Sequence, residues 1–226
     1  MAMRTTSLDR LADQTISRSR SRGAARFIVG IAGPPAAGKS TLAGGLRDAI
    51  NEHESVEVAV VAPMDGFHLA NDRLKEEGWL HEKGQPHTFD VTSFLDHLRA
   101  LRDTALFAEI QWPEYDRKLH DPVPGPVIYR QHQFVIVEGN YLLLDWPGWA
   151  EVRGLLDEVW YVDVEPDVAE RRLYERHLRS GRTPEEARRK VAESDLPNLE
   201  LIVLGKMLAD RIVVADGGMF LTDDPA

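Results

Sequence analysis

The 226-residue chain contains no cysteine. That excludes disulfides, cysteine-ligated zinc and a thiol nucleophile. It has no apolar run long enough to cross a bilayer as a helix, no internal repeat and no low-complexity tract. Positive charge is in deficit. With 27 Lys and Arg against 37 Asp and Glu, the net charge is −10, which argues against broad binding to nucleic acid or an anionic membrane. Any phosphate site must be a local positive spot in a negative molecule. The Asn/Thr-Lys-x-Asp signature of guanine recognition is absent, so Asp145-Trp146-Pro147-Gly148 carries no GTPase reading despite its Asp-x-x-Gly form. His68, His81 and His87 fall close together, but no two sit at i, i+4 and no second carboxylate–His set joins them, so no zinc site is expected. What remains is an ordinary globular composition with 43% hydrophobic residues. A single domain over residues 1–226, in the cytoplasm, is the expectation.

The strongest positive signal is Gly33-Pro34-Pro35-Ala36-Ala37-Gly38-Lys39-Ser40-Thr41. It fits G-x-x-x-x-G-K-[ST], a pattern expected by chance in roughly one chain of this length in a hundred. Its setting is right. Phe27–Ala32 reads as a buried strand, and Leu42, Leu46 and Ile50 give Thr41–Ile50 a helical period. A strand–loop–helix aims backbone N–H groups and the positive end of a helix at one point, where a polyphosphate can sit. Gly33, Pro34, Ala36, Ala37, Gly38, Lys39, Ser40 and Thr41 are therefore the expected nucleotide-binding residues. Lys39 is expected to reach the phosphates, and Ser40 to hold Mg²⁺.

Around this loop the chain alternates strand and helix. Residues 1–26 hold six Arg and two Asp, a composition seen in organelle transit peptides. Asp9 and Asp13 are unusual there. Leu8, Leu11, Ala12 and Ile16 predict instead a docked N-terminal helix, followed by a linker, Ser17–Gly23, within residues 1–25. Val56–Ala62 reads as a second strand, ending at Asp65, where open α/β sheets bind ligands. A carboxylate there can accept a proton in phosphoryl transfer, although a turn residue before Gly66 is an equal reading. Residues 69–90 look irregular, as a binding loop or lid does. Val91, Phe94, Leu95, Leu98 and Leu101 then mark an amphipathic helix. Leu106–Trp112 and the Pro-rich stretch to Tyr129 suggest a small antiparallel excursion, so residues 66–130 are expected to form an acceptor-binding insertion.

Phe134–Gly139 is the next core strand. Its terminal acid, Glu138, is expected to share the Mg²⁺ with Ser40. Glu158–Val164 follows, then a helix from Pro166. On that helix Arg172 and Arg176 are like charges at i, i+4, a repulsion that a phosphate between them would reverse. With Arg182 they form an expected phosphate-binding set within residues 171–192. Thr183 and Glu186 form a capping-box pattern. Asp195–Leu208 has helical spacing, Arg211–Ala215 reads as a last strand, and Asp216–Ala226 as a frayed tail.

From about Phe27 to Val214 the chain resembles the uridine kinase, phosphoribulokinase and bacterial pantothenate kinase group of P-loop kinases. Within it, the chain is most similar to small bacterial nucleoside/nucleotide kinase-like or fructose-transport-system kinase-like proteins. The resemblance implies that Asp65, in Met64-Asp65-Gly66-Phe67, is the catalytic base. It implies that Asp90, in Phe89-Asp90, binds sugar hydroxyls. Tyr115 and His120, in Tyr115-Asp116 and the His five residues after the Tyr, would contact the acceptor. The Glu138-Gly139 pair and the lid set Arg172, Arg176 and Gly181-Arg182 also match, which implies that residues 171–192 form a lid. Gly66 and His68 stand where uridine kinases carry Ser and Tyr. His68 joins Asp65, Asp90, Tyr115, His120 and Glu138 in the expected substrate-binding set.

The expected fold is thus a three-layer α/β P-loop fold with a mainly parallel five-stranded sheet. The expected reaction is transfer of the ATP γ-phosphoryl group to a hydroxyl of a small metabolite, with Asp65, Lys39, Arg172 and Arg176 catalytic. Cofactors would be ATP and Mg²⁺. A sugar, a nucleoside and a pantothenate-like vitamin stay open as acceptor, as does a nucleotide switch without one. Neither nucleic acid nor membrane is an expected partner, and the oligomeric state is open, a homodimer included.

Overall fold

The computed structural model describes residues 3–23, 25–103, 109–216 and 219–223. Its centre is a sheet whose interior strands are near-continuous apolar runs, because both of their faces are covered. Those strands are β2 (Phe27–Ala32), β3 (Ala59–Pro63), β6 (Phe134–Gly139), β7 (Glu158–Asp163) and β8 (Arg211–Asp216). They are parallel, in the order β8-β7-β2-β6-β3. All six residues of β2 are buried. Strand alternation sends Phe27, Val29 and Ile31 into one hydrophobic layer and Ile28 and Ala32 into the other.

The first layer is roofed by α1 (Leu8–Arg22) and α2 (Lys39–Glu54), through Leu11, Ile16, Leu42, Leu46 and Ile50. The second is closed by α4 (Val91–Asp103) and by Trp112, Tyr141 and Trp149. This is the three-layer arrangement expected. The sheet is wider than expected. Two antiparallel strands, β1 (Arg4–Thr6) and β9 (Met219–Thr222), extend it beyond β8 to seven. The segment read as a frayed tail therefore supplies β9, which lies between β8 and the edge strand β1. It pairs with β8, its neighbour in the chain, and with β1, which comes from the opposite end of the chain, a contact that no local pattern announces.

The N-terminal helix docks as predicted, but its supposed linker is its last turns. Ser7 Oγ accepts from Arg10 N at 3.2 Å at one end, and Gly23 adopts a left-handed φ of 61° at the other. Arg18 pairs with the buried Glu158, and Arg22 with Asp157. These contacts hold a Ser/Arg-rich run helical.

The irregular stretch 69–90 contains a short helix, α3 (Asn71–Glu76), and 3-10 turns at Leu80–Glu82 and Pro86–Thr88. The expected excursion is a hairpin of β4 (Ile110–Asp116) and β5 (Asp121–Ile128), with a bulge between Gln111 and Pro113. A bulge is where a strand tolerates proline. The part of the predicted Leu106–Trp112 strand at 106–108 lies outside the described residues. Helix α5 (Pro166–Arg179) is followed by α6 (Pro184–Lys190), whose capping box is present in full. A π-helical turn, Val191–Asp195, joins α6 to α7 (Leu196–Val203). Pro197 has no N–H to offer four residues back, and the widened turn lies just before it.

Candidate functional site

Strands β3, β6 and β2 are neighbours, so their carboxyl ends deliver Asp65, Glu138 and the loop after Ala32 to one place. The loop turns at Gly33 (φ 143°) and Gly38 (φ 106°), left-handed positions that glycine takes without strain. A Cβ on Gly33 would also sit 2.5 Å from the Val162 carbonyl oxygen. Gly33, Pro34 and Ala37 shape the loop from behind, whereas Ala36, Gly38, Lys39, Ser40 and Thr41 line an open cavity of about 430 Å³. Lys39 is buried, and its Nζ donates to the Pro34 carbonyl at 2.9 Å. Burial pushes its pKa down to about 8, against the pull of Glu138 and Asp65. Ser40 Oγ donates to Glu138 Oε1 at 3.0 Å. Burial raises the Glu138 pKa, and Lys39 opposes the rise.

Across the cavity, Asp65 lies in a 3-10 turn (Met64–Phe67) at the end of β3. Arg117, at the tip of the hairpin, brings a guanidinium nitrogen to 3.6 Å from Asp65 Oδ2. The His68 ring is held between Phe89 and Tyr115, with centroids 4.0 and 4.7 Å away. Its Nδ1 lies 2.7 Å from the Asp65 carbonyl oxygen. A carbonyl only accepts, so Nδ1 carries the proton and Nε2 presents a lone pair. Burial lowers the His68 pKa, which keeps the ring neutral at pH 7. Lys83 Nζ donates to Asn71 Oδ1 at 2.7 Å and to the His120 carbonyl at 2.6 Å, and it lies 5.2 Å over the Tyr115 ring. Burial pushes the Tyr115 hydroxyl up to about 12.

Not every residue singled out in the sequence shares this cavity. Asp65, His68, Tyr115, Glu138 and Arg176 line it with the loop. Arg172 donates to the Ala36 carbonyl at 3.2 Å, on the loop itself. Asp90 is exposed and caps α4, its Oδ1 accepting from Ser93 N at 2.9 Å. His120 and Arg182 line a second cavity, of about 820 Å³, between the hairpin and the segment from the end of α5 through α6. The two cavities share Lys190 and Ser194.

Sequence reading missed Lys83, Arg117, Tyr141, His177 and Asp195, all lining residues. Arg117 sits inside the Tyr115–His120 motif, whose ends drew attention away from its middle. His177 and Asp195 form a buried pair, Nε2 to Oδ2 at 2.6 Å, that ties α5 to the π-helical turn. Arg182 approaches the other ring nitrogen of His177 at 3.2 Å. Nothing local in the sequence foretells a pair 18 residues apart.

A strand-end loop of this geometry, facing two strand-end acids, is what P-loop kinases share. A family model described as the Phosphoribulokinase / Uridine kinase family matches residues 28–203. The chain belongs to that family. This P-loop kinase is 34% identical over 198 residues to a Schizosaccharomyces pombe protein described as a candidate uridine kinase, covering 83% of each chain. It is 32% identical over 200 residues to the uncharacterised Escherichia coli protein YggC, covering 88% of this chain and 80% of that one. A crystal structure from Silicibacter sp. TM1040, described as a candidate fructose transport system kinase, superposes with a TM-score of 0.83 at 32% identity. That superposition covers 92% of this kinase and 98% of the other. Among the described residues of the kinase no helix is long and apolar enough to cross a membrane, and no group of three or more His, Asp or Glu is placed to hold a metal ion.

Proposed function

We propose that this kinase transfers the ATP γ-phosphoryl group to a hydroxyl of a small metabolite. The observation that carries the reading is that Lys39, Ser40, Glu138 and Asp65 open onto one cavity of about 430 Å³. The loop amides and Lys39 hold the β- and γ-phosphates. Ser40 and Glu138 offer two oxygens 3.0 Å apart, a hard donor set that fits Mg²⁺ with phosphate and water completing its shell. When bound, the ion neutralises charge on the phosphates. Asp65 accepts the proton of the acceptor hydroxyl as its oxygen bonds to the γ-phosphorus. The bond to the β–γ bridging oxygen breaks, and ADP leaves. Arg176 lines the cavity and Arg172 lies on the loop, where two guanidinium groups stabilise the migrating charge. Tyr115 and His68 wall the acceptor, with Nε2 of His68 accepting from one of its donors. The same reading makes residues 66–130 the acceptor-binding part and 171–192 a lid that closes Arg182 and the His120 side over the reactants and excludes water.

The test is ADP release from Mg-ATP across nucleosides, free sugars, hydroxy acids and pantothenate, with Asp65→Asn as control. An acceptor that raises ADP release in the native chain and not in the variant supports the reading. Steady ADP release with no acceptor, unchanged across the panel, turns the site into that of a nucleotide switch.

A further inference from the structure

The charge inside the cavity is opposite in sign to the charge of the molecule. Five Lys and Arg side chains line it against three carboxylates, in a chain of net charge −10. Glu138 is bonded to Ser40 and Asp195 to His177, which leaves Asp65 as the acid facing Arg117. Lys39 and Arg176 serve the triphosphate in the reading above. Lys83 is committed to Asn71 and to the His120 carbonyl. Arg117 has no such task, yet its guanidinium is aimed at the base, 3.6 Å from Asp65 Oδ2.

The turn that carries it is held in place, while the guanidinium itself stands largely exposed at the cavity mouth. Arg117 follows the last residue of β4 in a turn pinned on both sides. Asp116 Oδ1 accepts from Lys118 N at 2.7 Å and from Leu119 N at 3.0 Å. His120 takes a left-handed φ of 54°, and Lys83 donates to its carbonyl. Asp121 Oδ1 accepts from Asn71 N at 2.8 Å. The turn is thus tied to α3 and to the loop beyond it, and its arginine points across the cavity.

A cation beside a general base is a liability for a neutral substrate. It competes with the acceptor hydroxyl for the carboxylate. The arrangement becomes productive when the acceptor brings its own anion, which takes the planar guanidinium in a two-pronged contact and frees Asp65 for the hydroxyl. Resting on the kinase reading, we infer that the acceptor is a small hydroxy compound carrying a carboxylate or phosphate, and that Arg117 is the residue that selects it.

The experiment uses the full chain with its nucleotide site saturated by Mg-AMPPNP, so that the γ-phosphate position is filled. Inorganic phosphate and, separately, acetate are titrated by calorimetry into the native chain and into Arg117→Gln. The expected result is binding of at least one anion to the native chain, weakened about tenfold or more in the variant, with AMPPNP affinity within about twofold. The arm that binds more tightly tells phosphate from carboxylate. No anion binding to the native chain, or equal binding to both chains, overturns the inference. Transfer to a neutral sugar or nucleoside, unaffected by Arg117→Gln, overturns it too while leaving the kinase reading intact. Failure of AMPPNP itself to bind takes down both.

Discussion

Asp65 owes its place to the end of β3, in the 3-10 turn Met64–Phe67. In the proposed reaction Asp65 accepts the acceptor proton and is not needed to hold ATP, a task that falls to the loop amides and Lys39. Asp65→Asn is therefore expected to lower kcat by about 10²–10⁴-fold while leaving ATP affinity within about twofold. ADP release and nucleotide titration check this, and unchanged turnover would remove Asp65 from the role of base. His68 makes a pH prediction. Burial lowers its pKa below the usual value, so the neutral ring dominates at and above pH 7, and the proton arrives only on acidification past the ordinary imidazole range. Protonation converts Nε2 from acceptor to donor. With the acceptor found by the panel, KM is expected to be flat from pH 7 upward and to rise on acidification below that value. In His68→Gln this rise should vanish. A KM that rises equally in both chains would take His68 out of acceptor binding.

The hairpin β4–β5 and the turn that carries Asp65 act as one element because they touch backbone to backbone. A Cβ on Gly66 would meet the Pro113 carbonyl oxygen at 2.0 Å and the Glu114 nitrogen at 2.8 Å. This contact accounts for the glycine at the position where uridine kinases carry serine. A peptide group cannot step aside as a flexible side-chain tip can, so the hairpin would have to shift. Gly66→Ala is expected to destabilise the chain by about 1–3 kcal/mol and to raise acceptor KM more than ATP KM. Urea unfolding and steady-state kinetics separate the two effects. The segment proposed as a lid is joined to the body by a different device. The buried His177–Asp195 hydrogen bond links α5 to the π-helical turn beside Pro197, and Arg182 stands at the far side of the same ring.

At the scale of the whole molecule, an acidic surface surrounds a cationic cavity, and α1 completes the core from one side. Leu11 and Ile16 of α1 are buried with Leu42 and Leu46 of α2. The N-terminal segment is therefore part of the fold. Leu11→Ala is expected to cost about 2–5 kcal/mol, measured as a lower denaturant midpoint with little change in the steepness of the transition. A loss under about 0.5 kcal/mol would show that α1 contributes little to the core.

The sequence by itself determined the parallel core, the phosphate loop and the two strand-end acids. Each is written locally: apolar runs make buried strands, the glycine pattern makes the loop, and a strand end places the acid that follows it. The α4 stripe and the capping box at Thr183 were legible for the same reason. Tertiary structure alone decided the rest. Strand β1 forms because it pairs with β9 from the opposite end of the chain, and the Ser/Arg run at 17–22 stays helical because Arg18 and Arg22 find Glu158 and Asp157. Asp90 became a helix cap, and His120 and Arg182 took a neighbouring cavity, because a motif lists residue types and not the directions in which side chains point. Arg117 and the His177–Asp195 pair came to light only in three dimensions, since electrostatic and hydrogen-bond partners are set by distance in space, which the order of residues along the chain does not encode.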